Sequence, residues 1–487
     1  MIPLAVFSID LLSGNLLLLA SVLIIVAVLL TKLGSRLGVP SLLIFLILGM
    51  VFGEDGIGVR FEQYDIAESI GHFAMTIILF SGGFGTSFKE IRPILGRGVS
   101  LATVGVLLTV LFTGLFIYFT GGIDGSTTLV SCLLIAAVMG STDSASVFYV
   151  LGSRRMKLRE NLAPMLELES GSNDPMAYML TIILVELMSG SSVSGWMGLL
   201  SFFLQIIIGA GVGIGIGFAA VWLIKKIKLS SVSLYSILIL SIAFLSNGLS
   251  HLIHGNGLLS LYITALILGN KVELANKKDI SKFFDGMTWL MQLVMFLMLG
   301  LLARPSQMLP VLGYAILIGL FLMFVARPAA VFISLIPFRD ISFKGKLFTS
   351  WVGLKGAGPV LFALTPVLAG VENSSALFNI VFVITLFSLI LQGTTLQPFA
   401  KLLKLSYEDL QEVETFGMEI PEDMGMLRDH IVSGEELAAG STLRDLALPH
   451  GIRVVMVKRD DHFLVPHGSM ALQSGDHLLL IIGDTDD

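Results

Sequence analysis

Apolar residues fill this chain in runs of about 18 to 25, cut by short polar stretches, and each run is long enough to cross a bilayer as a helix. The pattern predicts thirteen membrane helices, at 15–33, 38–53, 66–86, 97–120, 128–151, 160–188, 197–224, 232–253, 257–269, 283–303, 308–336, 346–368 and 374–400. After residue 404 the pattern changes. Residues 405–430 are acidic and read as a linker. Residues 431–487 read as a small α+β module, with a short helix at Thr442 to Leu446 and strands at Ile452–Lys458, His462–Val465 and His477–Ile482. The expected organisation is a transmembrane domain over 1–404, a linker over 405–430 and a cytoplasmic domain over 431–487.

Lysine and arginine sort to one side of this alternation. The loops after odd-numbered runs hold Lys32 and Arg36; Lys89, Arg92 and Arg97; Arg154, Arg155, Lys157 and Arg159; Lys225, Lys226 and Lys228; Lys271, Lys277, Lys278 and Lys282; Arg339, Lys344 and Lys346. The opposite loops hold only Arg60 and Arg304. Cations collect on the cytoplasmic face, so the N-terminus is expected outside and the C-terminus in the cytoplasm.

Polar residues interrupt the runs at paired places. The fifth is broken at Gly140-Ser141-Thr142-Asp143 and the twelfth at Gly353-Leu354-Lys355-Gly356-Ala357-Gly358-Pro359. Counted as six, one and six, the runs put both breaks fifth in their half, and the odd central run inverts one half against the other. Breaks at corresponding positions of two halves point to a transport site. The expected fold is an all-α polytopic membrane protein of two inverted six-helix repeats whose broken helices cross.

The sixth run carries the densest chemistry, Glu169-Ser170-Gly171-Ser172-Asn173-Asp174-Pro175. At about 100° per residue, Ser170 and Asp174 share one helix face, and Glu169 and Asn173 share another about a quarter-turn away. Pro175 removes a backbone donor and frees a carbonyl. A carboxylate, a hydroxyl and a carbonyl on one cavity suit a hard monovalent cation or a proton, and charge at membrane depth marks function. Asp143 can balance the amide-rich ends of broken helices and Lys355 the carbonyl-rich ends. Arg327 needs a buried carboxylate; Glu169 is the first choice and Asp174 the alternative. Glu167 and Pro164 fit a polar helix end. The glycines from Gly209 to Gly217 lack a preceding strand and read as a packing face rather than a nucleotide loop. His251, His254 and Asn256 read as a solvated external loop, and Met287, Met291, Met295 and Met298 as packing residues at helical spacing.

Composition narrows the class. Of 487 residues 55% are hydrophobic and only 14% charged, and the formal net charge is −6, which gives no reason to expect nucleic acid. Cys132 is the lone cysteine, so no disulfide within the chain and no metal site are expected. The N-terminus has no basic stretch followed by a cleavage signal. No enzyme is expected: a hydrolase built on Ser170 or Ser172 would want a histidine near the sixth run. A gated channel would want a carbonyl-lined filter sequence, and none is present.

Together the breaks and the sixth-run motif resemble the cation–proton antiporter superfamily, in its NhaP-like branch, over residues 15–400. Members carry a Thr-Asp-Pro break, a Glu-Ser-x-x-Asn-Asp run, an Arg and a Gly-Leu-Arg-Gly break. Here these read Thr142-Asp143-Ser144, Glu169 to Asp174, Arg327 and Gly353-Leu354-Lys355-Gly356, so Ser144 replaces a proline and Lys355 an arginine. The resemblance implies an NhaA-like fold and a homodimer in membrane lipid. It implies Asp174 as the shared cation and proton carrier, with Ser170, Thr142 and Asn173 around it, and a structural Glu169–Arg327 pair. The Asn-Asp pair resembles electroneutral members. Residues 431–487 resemble the TrkA-C or RCK-C regulatory module, carried by Arg459-Asp460-Asp461, Val465-Pro466 and Gly475-Asp476. That module implies a nucleotide or other small molecule as regulator and tilts the substrate toward K⁺, with Na⁺ as the other choice. The expectation is K⁺/H⁺ exchange by alternating access in the bacterial inner membrane, without a cofactor. An RCK-gated cation channel and a sodium-coupled symporter are the alternatives.

Overall fold

The computed structural model describes residues 15–37, 40–122, 128–143, 156–189, 195–227, 229, 231–272, 277–408, 427–434, 437, 442–446, 452–459 and 462–482. Ser144, Arg154, Arg155, Lys228, the stretch 409–426, Asp460 and Asp461 lie outside them. The chain divides into two compact units, Met1–Tyr407 and Glu408–Asp487.

The first unit is helical. Its elements are α1 (Asn15–Leu37), α2 (Ser41–Phe52), α3 (Tyr64–Gly85), α4 (Phe88–Phe119), α5 (Leu129–Val138), α6 (Leu162–Met188), α7 (Gly195–Lys226), α8 (Val232–Leu252), α9 (Gly257–Lys271), α10 (Lys277–Leu302), α11 (Pro305–Ser334), α12 (Phe343–Trp351), α13 (Ala357–Leu368) and α14 (Ser374–Leu402). Among the described residues, α3, α4, α7, α8, α10, α11 and α14 are long and apolar enough to cross a membrane. The 27-residue α6 has the length, yet it carries Glu167, Glu169, Asp174 and Glu186.

Side-chain oxygens start several helices by taking amides that have no intrahelical acceptor: Thr128 before α5, Ser231 before α8, Asn256 before α9 and Ser342 before α12. Small residues set how closely the helices approach. A Cβ on Gly49 would sit 2.3 Å from the Leu297 carbonyl, and one on Gly300 would sit 2.3 Å from that of Leu46, so α2 and α10 cross glycine to glycine. The glycine ladder of α7 resolves the same way. Gly209, Gly213 and Gly217 abut α9, whereas Gly211 and Gly215 face open space.

Two helices share an unusual build. α4 and α11 each begin with a short α-turn, pass through a proline-bearing 3₁₀ turn (Arg92–Ile94 and Leu309–Val311) and later through a π-turn (Leu101–Gly105 and Leu322–Ala326). In α11 the cause is visible: Pro328 cannot donate to the preceding turn. The two helices lie against each other, with Phe116 stacked on Phe321 at 3.9 Å and the Ser100 hydroxyl donating to the Ser334 carbonyl at 2.9 Å.

In the second unit, β1 (Leu427–Ile431), β2 (Ile452–Arg459), β3 (His462–Leu464) and β4 (His477–Ile482) form one antiparallel sheet in the order β1-β4-β2-β3. Two expectations change here. β1 begins inside the stretch read as linker. The α+β expectation becomes a β-sheet unit among the described residues, because Thr442 to Leu446 is a turn. Its backbone donors are spent elsewhere: Thr442 on the Asp445 carboxylate, Leu443 on Met470 and Arg444 on Gly468.

Candidate functional site

Two helix breaks meet at the centre of the first unit. α5 ends at Val138, and Ser141, Thr142 and Asp143 continue without helical bonds. Opposite them, Val352 to Gly356 run without regular structure between α12 and α13. The breaks cross and are tied by one backbone bond, from the Asp143 amide to the Leu354 carbonyl at 2.9 Å. Irregular backbone at this depth is tolerated only where its polar groups find partners or line a cavity.

The partners come from α6. The Ser170 hydroxyl donates to the Thr142 carbonyl at 2.5 Å, and the Asn173 amide nitrogen donates to the Thr142 hydroxyl at 2.5 Å. The Asn173 amide oxygen accepts from the Thr142 amide at 3.4 Å. The Ser141 hydroxyl donates to the Asp174 carboxylate. Lys355 is 3% exposed, and its ammonium donates to the Ser141 carbonyl at 2.9 Å, at the end of α5 where helical carbonyls have lost their donors. The Asp143 carboxylate lies against Gly356, where an added Cβ would fall 2.1 Å from Oδ2. Only glycine leaves it room. The Lys355 amide donates to Ser388, which in turn donates to Gln392.

Glu169 and Arg327 pair on the other side of α6. Both are buried, with side chains 1% and 4% exposed, and an Arg327 nitrogen hydrogen-bonds the Glu169 carboxylate. The sequence leaves Glu169 and Asp174 both open to Arg327; the ion pair goes to Glu169.

Asp174 stands at the inner end of a cavity of about 330 Å³. One stripe of α6 lines it, through Glu167, Ser170, Gly171 and Asp174, and one stripe of α10, through Asp285, Thr288, Gln292 and Met295. The exposed lining residues Gly85, at the end of α3, and Asp285, near the start of α10, mark its rim. Beyond Asp174 aromatic rings follow: Tyr178 contacts Phe362 at 5.2 Å and His72 at 5.0 Å between ring centroids.

Ser170, Thr142, Asn173, Asp143, Asp174 and Lys355 therefore form one cluster, and Glu169 and Arg327 flank it. Several participants were not marked by the sequence. Ser141 is a serine among serines. Glu167 reads as a polar helix end yet lines the cavity. His72, in the third run, lies against Tyr178 of α6, a contact that spacing along the chain does not reveal. Asn256 is buried rather than solvated, capping α9 while its amide donates to the Pro175 carbonyl at 2.9 Å.

This fold and its crossed, cavity-lining breaks are those of a secondary transporter. The chain belongs to the sodium/hydrogen exchanger family, whose transmembrane model matches residues 21–402; it is a multi-pass membrane transporter, not an enzyme. The TrkA-C domain matches residues 431–486. The chain is 39% identical to the K(+)/H(+) antiporter NhaP2 of Shewanella baltica (strain OS223), over 96% of this chain and 80% of that protein. It is 38% identical to the K(+)/H(+) antiporter NhaP of Alkalimonas amylolytica, over 95% and 80%. The Na(+)/H(+) antiporter ApNhaP of Aphanothece halophytica is 25% identical over 72% of this chain and 68% of that one. The sodium proton antiporter MjNhaP1 from Methanocaldococcus jannaschii, solved at pH 8, has the same fold, with a TM-score of 0.66 at 23% identity over 78% of this chain and all of that one.

Proposed function

We propose that this protein exchanges K⁺ for H⁺ by alternating access, with Asp174 as the one seat that either ion occupies in turn. The observation that carries this reading is the position of Asp174: the end of a cavity, beside the crossed breaks, bonded to Ser141. A carboxylate there can be neutralised by a proton or by a cation but not by both, so exchange needs no separate coupling device. Ser170, Thr142 and Asn173 supply oxygens around the seat. Asp143 and Lys355 neutralise opposite ends of the broken helices, and Glu169 with Arg327 hold α6 to α11.

The names of the relatives at 38–39% identity favour K⁺, and that of ApNhaP makes Na⁺ the competing cation. Thirteen spans in two inverted repeats accord with the matching build of α4 and α11, each fourth in its half. On the positive-inside reading the cavity rim at Gly85 and Asp285 is cytoplasmic. A homodimer in the bacterial inner membrane, electroneutral stoichiometry and a small-molecule regulator at 431–487 complete the proposal, on the domain boundaries given above. Proton flux driven by K⁺, Na⁺ or Li⁺ gradients in vesicles tests it. Transport driven by K⁺ but not Li⁺ is expected; cation flux without counter-movement of protons would favour a channel.

A further inference from the structure

The cavity between its rim and Asp174 contains a second set of oxygens that the exchange step does not use. On α6, Glu167 precedes Asp174 by seven residues, two helical turns, so it lies on the same face about 10 Å nearer the rim. Between them sits Gly171, and a Cβ there would fall 2.4 Å from the Tyr262 ring, so the ring packs directly on the α6 backbone. Tyr262 is 3% exposed and lines the cavity; its hydroxyl has no partner within 3.5 Å, and the Thr86 side chain acts on it only from farther away. Burying a hydroxyl without a partner costs about 1–3 kcal/mol. A water or an ion entering beside the ring would give that hydroxyl a partner. Thr288, which lines the same cavity from α10, likewise has a buried hydroxyl oxygen without a hydrogen bond, and Asp285 lies one turn nearer the rim on the same stripe of α10.

We propose that Glu167, Tyr262 and Thr288 form a second, shallower stop for a dehydrating monovalent cation, between the rim and Asp174. The proposal rests on the exchange reading above and adds a place where the cation waits. One carboxylate and two hydroxyls, with Asp285 one turn nearer the rim, supply the hard oxygen donors such an ion needs. The hydroxyls replace water as the ion enters, and the Glu167 charge raises the local cation concentration before Asp174 is vacated by its proton. A stop of this kind acts on capture from one side of the membrane only, because Tyr178, Phe362 and His72 separate it from the other.

The test is K⁺-driven proton flux by Glu167→Gln and Tyr262→Phe, measured in vesicles of both orientations. Tyr262→Phe keeps the ring against Gly171, so it removes the oxygen and preserves the packing. Each variant is expected to raise the half-saturating K⁺ concentration on the rim side about fivefold, and to leave that on the opposite side within about twofold. Unchanged half-saturation on the rim side in both variants overturns the proposal. So does an equal rise on both sides, or a fall in maximal rate alone, which would mark a structural role. Asp174→Asn in the same vesicles separates the two claims: exchange that survives it defeats the shared-seat reading, whatever the vestibule variants do.

Discussion

Arg327 and Glu169 are among the most deeply buried charges in the chain, and a buried pair is asymmetric in its energetics. Removing one partner strands the other, at a cost of about 3–5 kcal/mol, whereas replacing both with apolar groups of similar size is close to neutral. Arg327→Met alone is therefore expected to lower the melting temperature in detergent sharply, and Arg327→Met with Glu169→Leu to recover most of the loss. Recovery of stability without recovery of transport would assign the pair to both jobs. A single Arg327→Met variant as stable as the parent would refute the structural pair. Parts of this scale were readable in advance. Glu169, Asn173 and Asp174 stand out because acids are rare in apolar runs, and the helical angle separates Glu169 from the Asp174 face. Ser141 could not be singled out: its partnership with Asp174 depends on where the broken strand of one helix passes another, and spacing within α6 carries no trace of it. Tyr262 was hidden for the same reason, since its neighbour Gly171 is 91 positions away in the chain.

Helix breaks and glycine crossings govern the elements. Gly356 gives its missing side chain to the Asp143 carboxylate, so Gly356→Ala forces the two breaks apart. Its expected effect is a loss of exchange larger than its loss of stability, read as flux against melting temperature; equal and small losses would mean the crossing is plastic. Gly49 and Gly300 make a different case, because backbone meets backbone and nothing there touches the cavity. Gly49→Ala is expected to destabilise the α2–α10 pair by about 1–3 kcal/mol, the usual cost of overpacking, with the half-saturating K⁺ concentration unmoved. The breaks were legible because Gly, Ser, Thr and Lys are conspicuous inside apolar runs. The π-turns were not: Leu101-Ala102-Thr103-Val104-Gly105 holds one glycine, as many membrane helices do, and nothing in it specifies a π-turn.

The whole molecule joins a polar-seated membrane unit to a sheet unit that the hydropathy pattern separates cleanly. The strands β2, β3 and β4 fall where apolar or β-branched runs place them, β4 as the unbroken apolar run Leu478-Leu479-Leu480-Ile481-Ile482. β1 does not, since Leu427-Arg428-Asp429-His430-Ile431 offers apolar residues only at its ends and is a strand because β4 pairs with it. Asp476 fixes the turn into β4. Burial pushes its carboxyl up, yet hydrogen bonds from Arg459 at 2.7 and 2.8 Å and from the Gln473 amide at 2.8 Å outweigh burial and hold it below the usual carboxylate range. A carboxylate held low in the folded state adds stability at neutral pH, and that contribution is lost as pH falls through its folded value, below about 4. Asp476→Asn in the full chain is expected to cost about 2 kcal/mol and to speed amide exchange in β1 and β4 at pH 7, with the difference from the parent shrinking in acid. Exchange in those strands that ignores the substitution at pH 7 would remove Asp476 from its role.

The shared seat at Asp174 carries the rest. Asp174→Asn keeps the shape of the side chain and an oxygen for Ser141, but it can neither release a proton nor neutralise a cation. Its purified stability is expected to match that of the parent, and its K⁺-driven proton flux in vesicles to fall to the level of protein-free lipid. A folded Asp174→Asn protein that still exchanges K⁺ for H⁺ would contradict the account.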